Sequence, residues 1–275
     1  LGDHKFYIVT GTGFATHDSA HMKRHFRQGA YVQLHDVTSA YACISVMGPA
    51  SREVLQPIAE ADLSNDAFPF ATCQQIFIGG APVIAIRVTF VGELGWELHV
   101  PSEYAATLYD AIKASGQAYG IKDAGYRAID SLRLEKGYRV WSADIGPDYT
   151  PYEAGLGFAV RLGKNADFIG RAALLSAKGK PLEKRLVTLT TDPDVVLLGR
   201  ETIYRNGERV GWLSSAGFGY TVGRSIGLGY VRGNGSLDDS SLMEGSYELE
   251  VRMKRVPATI HLGALYDPKG ERVRS

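Results

Sequence analysis

Apolar and polar positions fall into two textures along the chain. Up to about residue 180, short apolar runs alternate with stretches of helical period; beyond it, only short β-like runs separated by glycine-rich turns remain. In the first part, residues 6–10 (FYIVT) predict a buried strand ended by Gly11-Thr12-Gly13. Residues 18–28 predict a helix, with Asp18 or Ser19 as its cap. Strands are expected at 31–36 and 41–47, and a helix from Pro49-Ala50-Ser51 to near Ala59. Strands at 70–78 and 81–90 flank Gly79-Gly80, the composition of a tight hairpin turn, and 96–100 makes a third strand closed by Pro101. From Ser102 onward Tyr104, Leu108, Ala111 and Ile112 recur at helical spacing, with Glu103 in the first turn. A second helix is expected over 123–135, stopping at Gly137. Residues 142–158, rich in Gly, Pro and Tyr, read as a long loop of the kind that often carries function, and 169–177 as a short helix.

After Pro181 the runs near 186–190, 202–204, 210–213, 226–231 and 247–253 predict strands, with Asn206-Gly207 as a hairpin turn. A separate all-β unit follows, most simply a small barrel.

Composition narrows the class. A chain of 275 residues is long for one core and suits two or three domains. At 45% hydrophobic residues there is enough apolar surface to offset chain entropy, so disorder is not expected to dominate. Thirty basic residues balance thirty acidic ones, which removes any long-range attraction to nucleic acid or an anionic membrane. Two cysteines, Cys43 and Cys73, form no disulfide framework; they fit a reducing compartment, bacterial cytoplasm or mitochondrial matrix, and are expected as core thiols. No apolar run approaches the ~18 residues of a membrane span, and no signal peptide is visible. The chain starts at Leu1 and soon enters an apolar run, an opening that reads as the middle of a fold and suggests a processed chain or a fragment.

Four constellations could carry chemistry. In FVGELGWE (90–97) two glycines allow a tight turn that presents Glu93 and Glu97 beside Phe90 and Trp96. A carboxylate can accept paired hydrogen bonds from an amino-substituted heterocycle, and an adjacent ring can stack on it. The alternative is a hairpin with Trp96 in the core and Glu93 in solvent. In the helix 125–135, Arg127 and Ser131 share a face and Asp130 can pair with Arg133; the alternative there is a packed helix with a surface ion pair. Gly11-Thr12-Gly13-Phe14-Ala15-Thr16 resembles the start of a dinucleotide fingerprint, with Thr16 in place of its third glycine and no βαβ unit behind it. His17, His21 and His25 line one helical face, a spacing that can bind metal but with no further ligand nearby, so a solvated face is the better reading and no metal is expected.

Taken in order, GELGWELHVP, SLRLEKGYRVW, YEAGLGFAVR with FIGRAAL, and SIGLGYV resemble the aminomethyltransferase family, the glycine-cleavage T-protein and its relatives. The resemblance runs from about Lys5 to Val273, and within the family it is to the folate-binding C-terminal half of dimethylglycine and sarcosine dehydrogenases and oxidases. It implies an α+β, three-lobed folate-binding fold with a C-terminal small β-barrel and an N-terminally truncated first lobe. Residues 1–45 with 150–180 would be the remainder of that lobe, 46–149 the second lobe and 182–275 the barrel. It implies transfer of an amine-derived one-carbon unit to tetrahydrofolate, giving 5,10-methylenetetrahydrofolate.

Residue by residue, the resemblance makes Glu97 the pterin ligand and puts Phe90, where relatives usually have Tyr, against the folate. Ile129 stands where the T-protein has Arg, with Arg127 two positions earlier, and Thr10 and Gly11 would border the cavity. The family's catalytic Asp would lie upstream of Leu1; nothing around Asp3 matches its glycine-rich setting. FAD is implied only for a flavin domain of a parent chain, which with folate makes up the expected partners. A non-catalytic folate-binding or regulatory module of the same fold is the alternative, and a dinucleotide-binding domain at 11–16 a more distant one.

Overall fold

Strict alternation builds the first sheet. In the computed structural model, which describes residues 1–233 and 237–275, strands β1 (Tyr41–Met47), β2 (Cys73–Ile78), β3 (Ala81–Ile86) and β4 (Gly95–Pro101) form an antiparallel sheet of order β1-β4-β3-β2. Period-two spacing sends Ile44, Val46, Val83, Ala85, Trp96, Leu98 and Val100 to one face. There they meet Val54 and Leu55 of helix α2 (Ser51–Leu55) and Leu108 and Ile112 of helix α3 (Ala105–Gly116). Leu108 is fully buried, and such a side chain contributes about 1.5–3 kcal/mol by leaving water. The β2–β3 turn is the expected Gly79-Gly80, both at positive φ (58° and 76°).

The second unit is a closed barrel, in the order β10-β5-β8-β7-β6-β9. Its strands are β5 (Lys184–Thr191), β6 (Thr202–Arg205), β7 (Glu208–Gly219), β8 (Arg224–Arg232), β9 (Tyr247–Val251) and β10 (Lys254–His261). Asn206-Gly207 turns β6 into β7 as expected. The run at 247–253 breaks at Arg252-Met253, both at positive φ, so that β10 returns beside β9 and closes the barrel; the sequence reading had no such strand. A fold mixing helices with an antiparallel sheet and a C-terminal barrel matches the α+β expectation.

Helix α4 (Tyr126–Glu135) joins the two units. Its Ser131 hydroxyl donates to the Phe218 carbonyl at 2.6 Å, and Leu134 packs with Leu186, Ile226 and Leu228 of the barrel. The helix ends, as read, before Gly137 at φ 67°. Short helices α5 (Arg171–Ala177) and α6 (Asp239–Met243) complete the chain beyond the loop at 142–158.

The N-terminal stretch differs from its reading. Helix α1 (Ala15–Arg24) is present, but it starts after Phe14 with no side-chain cap, three or four residues ahead of Asp18 and Ser19. Residues 6–10 and 31–36 form no strand: Phe6, Ile8, Val9, Tyr31 and Val32 are exposed. Their composition is β-like, but a strand needs a hydrogen-bonded neighbour, and neither segment has one among the described residues. Cys43 and Cys73 are not core thiols either. Both fall on the sheet face opposite the helices, where they are exposed and unbridged. No helix of the described residues is long and apolar enough to cross a membrane.

Candidate functional site

The free face of the sheet carries the polar groups. Strand β4 alternates Trp96, Leu98 and Val100 inward with Glu97 and His99 outward, and register sets Ser45 and Ile86 on either side of Glu97. Cys43 and Ile84 flank His99 in the same way. His99 is nearly buried, with 6% of its side chain exposed against 27% for Glu97. Its Nε2 lies 3.7 Å from Glu97 Oε2 and 3.9 Å from Cys43 Sγ; its Nδ1 faces the Tyr7 hydroxyl at 3.2 Å. The Tyr7 ring stands edge-on to both His99 and Tyr41, so the unpaired N-terminal segment crosses this face. Hydrogen bonding to Cys43, then to Glu97, holds the His99 imidazole above its ordinary value, at about 9, against the opposing effect of burial.

The GELG turn is built for close approach. Gly92 has φ 81°, and a Cβ there would come within 2.9 Å of the Lys136 stem. A Cβ on Gly95 would lie 2.7 Å from the Val46 carbonyl. The first carboxylate of the turn, Glu93, is committed: it accepts from the Tyr266 hydroxyl and lies 3.8 Å from Arg272, tying the turn to the end of the chain. Burial, then that hydrogen bond, raises the Tyr266 hydroxyl to about 12. Glu93 is therefore not a solvated hairpin residue, while Trp96 is fully buried as expected.

Phe90 is partly exposed and stacks on Tyr138, with centroids 6.0 Å apart and planes 17° from parallel. Thr10 donates to Asp18 and, like Gly11, is exposed, three residues beyond Tyr7. Arg127 lies exposed on α4 beside the exposed Tyr126, whereas Ile129 is half-buried. Thus Glu97 lies with His99 and Cys43, and Tyr7 reaches the group through His99; Phe90 pairs with Tyr138; the Ser131 hydroxyl, one turn on from Arg127, is used by the barrel. His99 and Cys43 were missed by the sequence reading. The signal was available: GWELHVP at period two puts residues 97 and 99 on one face.

Asp130 and Arg133 do pair, at 3.3 Å, but not as a surface decoration. Arg133 is buried and donates to Asp144 at 2.8 Å and to Ser215 at 3.0 Å. Asp144, fully buried, also accepts from Ser214 at 2.5 Å and from the Val140 N–H at 2.9 Å. Glu135 accepts from the Thr221 and Val222 N–H groups, and Lys136 pairs with Asp267 at 2.7 Å. The segment 131–144 is thus the joint to the barrel.

The two remaining motifs find little support. Gly11 is extended at φ −66°, no strand precedes it, and the strands of both sheets pair antiparallel, so the phosphate-cradling βαβ turn is lacking. His21 and His25 lie with rings 4.4 Å apart on the exposed face of α1, His25 bonding the His21 carbonyl and His17 bonding Asp18. A separate cavity of about 450 Å³ lies between Phe14, Trp141, Tyr149, Trp212 and Tyr230.

Comparison with known proteins gives two family matches: the GCVT N-terminal domain over residues 1–164 and the glycine cleavage T-protein C-terminal barrel domain over 184–267. The chain is 42% identical to mitochondrial sarcosine dehydrogenase of Mus musculus over 98% of its own length, but spans only 30% of that protein. It is 34% identical to the mitochondrial pyruvate dehydrogenase phosphatase regulatory subunit of the same organism, covering 95% of this chain and 31% of that one. Among solved structures, the glycine cleavage system aminomethyltransferase T from Bartonella henselae superposes with a TM-score of 0.76 at 24% identity, over 93% of this chain and 67% of that one, a likeness of fold.

Proposed function

Because the chain belongs to the glycine-cleavage T-protein, or aminomethyltransferase, family, we propose that it is the tetrahydrofolate-binding module of a one-carbon transferase, forming 5,10-methylenetetrahydrofolate from an amine-derived unit. The observation that carries this reading is the contrast within one turn. Glu93 is consumed by Tyr266 and Arg272, while Glu97 stands half-exposed on the free sheet face with oxygens still able to accept. The amino and ring N–H groups along one edge of a pterin are the donors such a carboxylate takes in pairs. The enclosed His99 ring, with Nε2 3.7 Å from Glu97 Oε2, limits the swing of the carboxylate. Phe90, stacked on Tyr138, offers a ring for the folate but no hydroxyl; Thr10, Gly11 and Arg127 are assigned to the rim.

No residue of the module is assigned as the base that removes the folate nitrogen's proton. Flavin is implied only for a parent chain, and no dinucleotide-type βαβ unit lies among the described residues. We take residues 1–45 with 150–180, 46–149 and 182–275 as the three lobes, working in cytoplasm or mitochondrial matrix beside a flavin-containing domain or subunit. A regulatory, non-catalytic module is the second reading, favoured by the phenylalanine at 90, the isoleucine at 129 and the likeness to a phosphatase regulatory subunit.

Ligand linkage tests binding. Tetrahydrofolate at 100-fold its Kd should stabilise the protein by about 2.7 kcal/mol and raise its Tm, whereas NAD should leave Tm unchanged. A rise with NAD and none with tetrahydrofolate would remove both folate readings. Formation of 5,10-methylenetetrahydrofolate by the full-length parent then separates transferase from regulator.

A further inference from the structure

We propose that Cys43, Glu97 and His99 form a site for one thiophilic divalent cation, Zn²⁺ by chemical preference. Strand register makes the cluster: Cys43 is directly opposite His99, and Glu97 precedes His99 by two residues on the same face. One donor atom from each, Sγ, a carboxylate oxygen and a ring nitrogen, lie within 4.8 Å of one another. The Sγ–Nε2 and Nε2–Oε2 separations are 3.9 and 3.7 Å. Tetrahedral zinc, with bonds of about 2.0–2.3 Å, needs edges of roughly 3.3–3.6 Å. The two edges at His99 close with a few tenths of an ångström of side-chain movement, and the Cys43–Glu97 edge, within 4.8 Å, closes by rotation of the exposed cysteine and the partly exposed glutamate.

A second observation, independent of those distances, points the same way. Tyr7 lies 3.2 Å from Nδ1, the nitrogen turned away from the cluster. With Nδ1–H donating to the Tyr7 oxygen, the Nε2 lone pair faces Cys43 and Glu97, the outer-shell arrangement that orients metal-ligating histidines. The imidazole is buried while Cys43 is exposed, so three protein ligands would hold the ion and solvent would reach its fourth position from the cysteine side. Thiolate, imidazole and carboxylate together favour zinc over magnesium or calcium. Binding releases the thiol proton and any proton on Nε2, with no change of oxidation state. If Glu97 anchors the pterin, an ion on the same carboxylate competes with folate; that consequence alone rests on the proposed function.

The test is titration of the purified protein with Co²⁺ and Zn²⁺. The site predicts one ion per chain and a thiolate-to-cobalt charge-transfer band in the near ultraviolet. It also predicts loss of that band and at least tenfold weaker zinc binding in Cys43→Ser, an exposed position where folding is safe. Tyr7→Phe should weaken zinc about tenfold, the scale of an outer-shell loss, while His21→Gln/His25→Gln on α1 should change nothing. Absence of the thiolate band, unchanged affinity in C43S, or loss of binding only in the α1 double variant would overturn the site. Zinc binding that leaves tetrahydrofolate affinity unchanged would keep the metal site and reject Glu97 as pterin anchor; folate binding that needs Glu97 without any zinc site would do the reverse.

Discussion

Two clusters of polar and charged residues are built to opposite specifications. At the joint, Arg133, Glu135, Lys136 and Asp144 are buried and spend their hydrogen bonds inside the protein, on Ser214, Ser215, Asp267 and backbone groups of the barrel. On the sheet face, Glu97 and Cys43 remain open, and only the ring of His99 is enclosed. The first cluster is closed and fixes how two units meet; the second keeps unsatisfied acceptors where a solute can reach them. A family motif is therefore not a map of a binding site: SLRLEK and the first Glu of GELGWE hold the molecule together, and the free chemistry falls to the second Glu and its neighbours.

Removing a member of the closed cluster should have the largest effect. Asp144→Ala leaves the Arg133 guanidinium buried without its carboxylate, and about 3–5 kcal/mol of stability should be lost in a denaturant titration. A loss below 1 kcal/mol would mean that the joint is not the rigid element described. Glu97→Ala should instead weaken tetrahydrofolate by ~1.5–3 kcal/mol in a calorimetric titration, with the denaturant midpoint nearly unchanged.

The pH dependence separates the clusters further. The His99 pKa is raised in the folded state to about 9, against 6.5 for the unconstrained ring. Its contribution is fully present below pH 6.5 and is lost as pH rises through about 9, a decline of roughly 1–3 kcal/mol in unfolding free energy. His99→Gln should abolish that decline; an identical slope in the variant would assign it elsewhere. The smallest expected effect is Phe90→Tyr, which restores a hydroxyl at the stacked ring and should strengthen folate binding by no more than about 1 kcal/mol, read as a change in Kd.

Much of the architecture was legible because it rests on local rules. Gly79-Gly80 and Asn206-Gly207 mark their hairpins through positive φ, and the 3.6 period of Leu108 and Ile112 marks the face of α3. What was not legible depends on partners distant in sequence. The β-like residues at 6–10 and 31–36 stay unpaired because pairing is not a property of a segment alone. Cys43 was read as buried on residue type, but register with His99 turns it outward. Helical spacing shows the Asp130–Arg133 pair but not the burial of Arg133, because Asp144 comes to it from a loop and Ser215 from the barrel. At the candidate site, residue chemistry singled out the turn, and family resemblance chose Glu97 over Glu93; the Tyr266 and Arg272 contacts supply a physical reason for that choice.

Glu97 is proposed as free for a ligand, and Glu93 is tied to Tyr266 and Arg272. Calorimetric titration of tetrahydrofolate into the wild type, Glu97→Gln and Glu93→Gln, with the Tm of each, separates the two roles. Glu97→Gln should lose affinity at unchanged Tm, and Glu93→Gln should lose Tm while its folded fraction binds normally. Wild-type affinity in Glu97→Gln, with the loss of binding in Glu93→Gln instead, would reverse the two assignments.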